Sequence, residues 1–161
     1  MTTDEEFMHL ALDEAAKAAT LGEIPIGAVL VLEDKVIAKA HNMRETWQDA
    51  TEHAEVIAIR QACEKLGSWR LTGATLYVTI EPCPMCAGAI VMSRLSRLVY
   101  GSPDSKAGAA ESLFNIVNNP ALNHTVTTFS GVCSAECTQL MQDFFRQRRK
   151  PKKCKDEATV K

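Results

Sequence analysis

Three observations predict an α/β chain folded as a three-layer α/β/α sandwich around a mixed five-stranded sheet. Apolar, β-branched runs at 26–32 and 35–40 flank Glu33-Asp34, the pattern of an antiparallel hairpin. Later in the chain extended apolar runs alternate with helical patterns, and strands joined through helices pair in parallel. The chain has 161 residues and is 46% hydrophobic, which suits one globular domain able to bury a sizeable core.

The elements follow in order. Phe7, Leu10, Ala11, Ala15 and Ala18 recur at helical spacing, so a first helix is expected to end near Gly22. The hairpin comes next, then a polar loop from Asn42 to Thr51. A helix carrying His53 runs to about Leu66, stopped by Gly67. Thr75–Thr79 is a third strand leading through Glu81-Pro82 into a helix that carries Cys83 and Cys86. Arg97–Gly101 is a fourth strand, followed by a loop rich in Ser, Gly and Ala. A short helix over Ser112–Val117, a strand near Thr125–Phe129 and a long helix from Ser134 to about Arg149 complete the expectation.

The formal net charge of −2 conceals an asymmetry. Residues 1–145 carry 10 basic against 18 acidic side chains, net −8; residues 146–161 carry 8 against 2, net +6. The division expected is a folded domain over 1–150 and a basic, disordered tail over 151–161. Arg146, Arg148, Arg149, Lys150, Lys152, Lys153 and Lys155 can neutralise several phosphates or simply lie in solvent. The acidic start (Asp4, Glu5, Glu6) and the lack of any apolar run near 18 residues argue against a signal peptide and a membrane span. Six cysteines without secretory context read as the reduced thiols of a cytoplasmic protein.

The chemistry concentrates in two short segments. His53-Ala54-Glu55 is separated by 26 residues from Pro82-Cys83-Pro84-Met85-Cys86, giving H-x-E followed by P-C-x-x-C. That pattern is the known mark of zinc deaminases acting on nucleobases, and the spacing makes physical sense. Cys83 and Cys86, three apart, share a helix face, and Pro84 suits a first helical turn. Thiolates there are favoured by the positive end of the helix dipole. His53 and Glu55, two apart, do not share a face, so they converge only on something beyond their helix's N-terminal end. One zinc ion between two helix starts satisfies both constraints.

Three N and S ligands on a tetrahedral ion leave the fourth position for water, the arrangement of a catalytic rather than a structural site. Zinc brings the pKa of such a water from 15.7 to roughly 7. Glu55 is free to take its proton and pass it to a departing nitrogen. A lone C-x-x-C also occurs in redox pairs and as half of a structural zinc site. No thioredoxin-like βαβ unit opens the chain, and a second C-x-x-C or H-x-H pair is missing, although His41 or His124 could supply a fourth protein ligand. Cys133 and Cys137, one helical turn apart, read as buried free thiols rather than a second metal pair. His9 has no partner that sequence can name.

With these residues in view, the chain resembles the bacterial tRNA-specific adenosine deaminases, within the cytidine deaminase-like superfamily. The likeness extends from Glu23-Ile24-Pro25-Ile26-Gly27-Ala28 to Asp143-Phe144-Phe145-Arg146. It includes His41-Asn42, Thr51 to Glu55, Ser68 to Leu71, Tyr77 to Met92, Val99-Tyr100-Gly101, Asp104 to Gly108 and Asn123-His124. The metal motif alone marks the superfamily; the Asp104–Gly108 loop and the basic, aromatic last helix mark the tRNA branch. The resemblance implies conversion of the wobble adenosine of an anticodon, expected on an arginine tRNA, to inosine. It implies one Zn2+ per subunit on His53, Cys83 and Cys86, with Glu55 as proton shuttle. Asn42 and the backbone of Ala54 would hold a flipped adenosine, while Asp104, Lys106, Phe145 and Arg149 would meet neighbouring nucleotides of the anticodon stem-loop. A homodimer is implied, and neither a membrane nor DNA as partner. Glu52, before the zinc-ligand histidine, departs from the small or apolar residue expected there.

Two alternatives share these residues. A deaminase of a free base or nucleoside, such as cytidine or guanine, would use the same metal site without needing the basic tail. A non-catalytic RNA-binding protein stabilised by zinc would need a fourth protein ligand and would have no use for Glu55.

Overall fold

The computed structural model describes residues 3–149. The basic stretch from Lys150, with the expected tail 151–161 and Cys154, lies outside them. Along the chain run α1 (Thr3–Thr20), β1 (Gly27–Leu32), β2 (Lys35–His41), α2 (Ala54–Leu66), β3 (Thr75–Ile80), α3 (Pro84–Met92), β4 (Arg97–Ser102), β5 (Thr127–Ser130) and α4 (Ser134–Arg148). The sheet order is β2-β1-β3-β4-β5. β1 pairs antiparallel with both β2 and β3, whereas β3–β4 and β4–β5 are parallel, giving the mixed five-stranded sheet expected.

Alternation along the strands sends successive side chains to opposite faces. Ala28, Leu30, Leu76, Val78, Leu98 and Tyr100 join Ala54, Ile57, Ala58 and Ala62 of α2 and Ala87 and Ile90 of α3 in one core. Val29, Val31, Tyr77 and Val99 join Met8 and Ala11 of α1 and Cys137 of α4 in the other. Each fully buried aliphatic side chain contributes roughly 1.5–3 kcal/mol, so the two cores hold the helical layers on either side of the sheet.

Local chemistry sets the boundaries. Glu33 (φ 52°) and Asp34 (φ 62°) are both left-handed, as a two-residue hairpin that follows the strand twist requires. Gly67 (φ 65°) ends α2 by donating its N–H to Cys63 O. At Gly101 a Cβ would overlap the Cys137 sulfur and the Thr79 carbonyl, so α4 lies directly against β4.

The crossover from β4 to β5 departs from expectation, because no helix forms over 112–117. The N–H groups of Leu113 and Phe114 donate to Gly108 O, that of Ile116 to Ala109 O, and that of Asn118 to the Asn115 side chain. Those of Ala110, Glu111 and Ser112 donate to the Glu81 carboxylate. Donors committed to a partner from another strand cannot build an i to i−4 ladder. Among the described residues no helix is long and apolar enough to cross a membrane.

Candidate metal centre and adjoining groove

His53 and Cys83 are the N-cap residues of α2 and α3, each with extended backbone just before the first helical turn. Pro84 occupies the start of α3, where its missing N–H costs nothing. The two helix starts bring His53 Nδ1 to 3.6 Å from Cys83 Sγ and 3.5 Å from Cys86 Sγ, and the three ligand atoms lie within 4.8 Å of one another. Zinc bonds of about 2.3 Å to sulfur and 2.05 Å to nitrogen, meeting at the tetrahedral angle, put N and S about 3.5 Å apart. The donor set therefore fits a zinc-sized ion in both chemistry and spacing.

Neither histidine proposed as a fourth ligand joins the cluster. His124 Nε2 lies 2.6 Å from Leu95 O, and His41 Nδ1 lies 3.0 Å from Glu14 Oε1. Among the described residues the group at α2 and α3 has three members, the number that leaves a tetrahedral ion one open position.

The electrostatics follow from burial and hydrogen bonding. The bond with Cys86 foremost, against burial and with help from His53, brings the Cys83 thiol down to about 4. The same bond and burial push Cys86 up, so one thiolate of the pair is strongly favoured. Cys83 holds the His53 imidazolium above its ordinary value. Glu55, in the first turn of α2 and only 4% exposed, is pushed up to about 7 by burial, opposed by its own backbone N–H and by His53. A carboxyl near neutrality can both accept and donate a proton.

Asn42 and Ala54 meet the same centre. Asn42 is 5% exposed and anchored from both ends: its Nδ2 donates to Ile24 O at 3.4 Å and its Oδ1 accepts the Arg44 N–H at 3.1 Å. With Ile24, Ile26, Arg44, His53, Ala54 and Glu55 it lines a pocket of about 70 Å³. Ile24 and Ile26 also line a larger groove of about 590 Å³, whose other walls include Asp104, Lys106, Phe145 and Arg149. All four side chains expected at the RNA-facing positions thus share one groove, which has Ile24 and Ile26 as walls in common with the pocket at His53 and Glu55. Phe145 is half-buried and meets Phe144 edge-on at 5.4 Å, so neither ring belongs to the buried core. Asp104 Oδ1 accepts the N–H groups of Lys106 and Ala107, which commits half of its carboxylate to its own loop.

Several contributors escape the sequence. Glu23 (1% exposed) and Glu81 (3%) are buried carboxylates that bind the two loops around the site. Their signal is an acidic residue at the edge of an apolar run, Glu23 before Ile24-Pro25 and Glu81 after Thr75–Ile80. Glu52 neither lies in solvent nor faces the groove; it is 8% exposed and accepts from the Arg60 guanidinium at 2.7 Å. His9 finds its partner on α4, with Nε2 2.9 Å from Glu136 Oε2. Cys137 is buried in the core, and Cys133 is the N-cap of α4.

The MafB19-like deaminase family profile matches residues 2–149. A tRNA-specific adenosine deaminase of Bacillus subtilis (strain 168) is 52% identical over 153 residues, covering 95% of each chain. A solved structure from a study of A-to-I editing by tRNA:A34 deaminases at the wobble position of transfer RNA is 48% identical, with a TM-score of 0.81. It aligns with 84% of this chain and 98% of its own. A guanine deaminase from Bacillus subtilis is more distant, at 34% identity and a TM-score of 0.60 over 92% of this chain and 96% of its own.

Proposed function

The chain belongs to the tRNA-specific adenosine deaminase family, and from that premise we propose that it converts the wobble adenosine of a tRNA anticodon, that of an arginine tRNA, to inosine. The observation that carries the proposal is the adjacency, with Ile24 and Ile26 as shared walls, of the small pocket at His53, Ala54 and Glu55 and the groove lined by Asp104, Lys106, Phe145 and Arg149. The groove of about 590 Å³ beside the small pocket offers room for nucleotides that flank the reacting base.

Each residue has a part. His53, Cys83 and Cys86 hold Zn2+, one per subunit, which when bound supplies the Lewis acid that makes a water acidic near neutrality. The Glu55 carboxylate would accept a proton from the water that adds to C6 and deliver it to the adenine ring nitrogen; it would then take the proton of the new C6 hydroxyl and give it to the exocyclic amine as the C6–N bond breaks. The balance is adenine and water in, hypoxanthine and ammonia out. Asn42, braced by Ile24 and Arg44, and the Ala54 backbone hold the turned-out nucleoside. Phe145 offers a face for a neighbouring base, and Lys106 and Arg149 offer charge to the phosphates. An anticodon loop is already single-stranded, so turning a base out costs less than in a duplex.

A homodimer is part of the same proposal. α3 is apolar around its whole circumference, yet Met85 (37%) and Met92 (67%) stand exposed on it. A helix of that kind is normally covered on every side, and a second copy would cover this one. A tRNA substrate fits a cytoplasmic enzyme.

The test is inosine formation in an arginine-tRNA anticodon stem-loop, run beside free adenosine, cytidine and guanine. Inosine in the stem-loop with the free compounds untouched is expected. Turnover of a free compound with the RNA unchanged would leave the metal chemistry standing and overturn the substrate.

A further inference from the structure

We propose that Glu81 is a positioning residue that fixes the groove relative to the metal centre. It stands two residues before Cys83, at the end of β3, and its buried carboxylate gathers five donors from the crossover between β4 and β5. Oε1 accepts the Asp104 N–H at 3.0 Å and the Ser112 hydroxyl. Oε2 accepts the N–H groups of Ala110 (3.0 Å), Glu111 (2.7 Å) and Ser112 (2.9 Å). A carboxylate has about four lone-pair sites, so these donors saturate it. The neighbouring backbone adds to the tie, since Pro82 O accepts the Ala109 N–H at 2.8 Å and the Glu81 N–H donates to Ser102 O at 2.9 Å. Gly108 packs against the carboxylate so closely that a Cβ there would overlap it.

The bonds run onward from Glu81 to the groove. Asp104, whose N–H Glu81 holds, accepts the backbone N–H of Lys106 at 2.9 Å, and its carbonyl accepts that of Gly108 at 2.8 Å. The backbone of the loop bearing Asp104 and Lys106 is thereby set against the strand end that delivers Cys83. Glu81 acts through the loop and not by contact with substrate or metal. The inference rests on the proposed RNA-binding role of the groove.

A glutamine keeps the shape of Glu81 but offers one acceptor oxygen and turns an NH2 toward N–H donors. The test uses the full-length, zinc-loaded protein with Glu81→Gln and, separately, Lys106→Ala. For Glu81→Gln the expected result is unchanged zinc stoichiometry, kcat within about threefold of wild type, and a KM for the stem-loop raised about tenfold, the pattern of lost binding rather than lost chemistry. The slope of log affinity against log salt should fall by about one in both variants, as when one phosphate contact is lost. Amide exchange should quicken at 104 and 110–112 while the β3 and β4 amides stay protected.

Wild-type KM, salt slope and amide protection in Glu81→Gln would overturn the inference. A lowered slope in Lys106→Ala beside an unchanged one in Glu81→Gln would overturn the role of Glu81 alone. An unchanged slope in Lys106→Ala would overturn the RNA role of Lys106, and the inference with it. Should Glu81→Gln fail to fold, Ser112→Ala removes one donor and keeps the carboxylate. It is then expected to raise KM about threefold; no change in KM would overturn the inference.

Discussion

Replacing Glu23 by glutamine should cost this protein more than any surface substitution, although the two side chains are nearly identical in shape. Glu23 is 1% exposed and sits just before Ile24, whose carbonyl accepts from Asn42. Its Oε1 accepts the Glu45 N–H at 3.1 Å; its Oε2 accepts the Thr46 N–H at 2.5 Å and the Thr46 hydroxyl at 2.6 Å. Burial pushes this carboxyl up, but the three bonds and Arg44 outweigh it and hold it below the ordinary glutamate value. Hydrogen bonds to a charged group are worth about 1.5–3 kcal/mol each, and a buried donor left unpaired costs about 1–3 kcal/mol. The amide keeps the bonds at one oxygen and sets NH2 against the donors at the other. A loss of roughly 2–4 kcal/mol follows, out of a typical total of about 5–15 kcal/mol. At about 2–4 °C per kcal/mol for a chain of this size, Tm should fall by roughly 5–15 °C. Because the freed loop carries Arg44 at the pocket, kcat/KM on the stem-loop should fall at least about tenfold, or about 1.4 kcal/mol. Urea unfolding and inosine formation at saturating zinc measure the two effects. A Glu23→Gln protein within about 0.5 kcal/mol of wild type, the range of an ordinary surface change, would show that these bonds do not carry the loop.

Two further outcomes are expected. Glu55→Ala should keep one zinc per subunit by metal analysis while losing at least about 10²-fold in turnover; a near-normal rate would remove Glu55 from the mechanism. Asp4 meets Arg97 through two bonds of 2.8 and 2.7 Å and accepts from Tyr77 OH at 2.7 Å, and the Arg97 bond foremost holds its carboxyl below the ordinary 3.8. A depressed folded pKa stabilises only above the unfolded value, so this contribution is complete above about pH 5 and is lost as pH falls through the folded value. The pair is close to a third exposed, so Asp4→Asn should cost only about 1–2 kcal/mol at pH 7. The gap between Asp4→Asn and wild type should then narrow as pH falls below the unfolded value of about 3.9; parallel curves down to pH 3 would contradict the linkage.

What sequence could disclose here follows from the range of the interactions. His53, Cys83, Cys86 and Glu55 are legible because helix geometry converts their short spacings into direction, and both histidine and first cysteine turn out to be N-caps. The hairpin and the two-faced strands are legible from periods of two residues. Ser112–Val117 misleads because its apolar spacing is helical while its backbone donors are claimed by Glu81 and by Gly108 and Ala109 carbonyls. Glu23 and Glu81 are invisible to periodicity for the same reason: their partners lie more than 20 residues away. Glu52 misleads in the opposite sense, since a charge suggesting an exposed position is buried and paired with the exposed guanidinium of Arg60.

The division of labour between α2, α3 and the β4–β5 crossover also bears on how this scaffold diversifies. The candidate metal ligands come from two helix starts, whereas the groove wall bearing Asp104 and Lys106 comes from irregular chain whose length no helical register constrains. New substrates can therefore be sought by exchanging the segment 103–126 while the catalytic machinery is left alone. Such a graft would inherit one entry requirement: it must present a fan of backbone N–H groups to the acidic side chain that ends β3. A segment chosen only for its contacts with a new substrate would lack that plug and would hang from the enzyme in the wrong place.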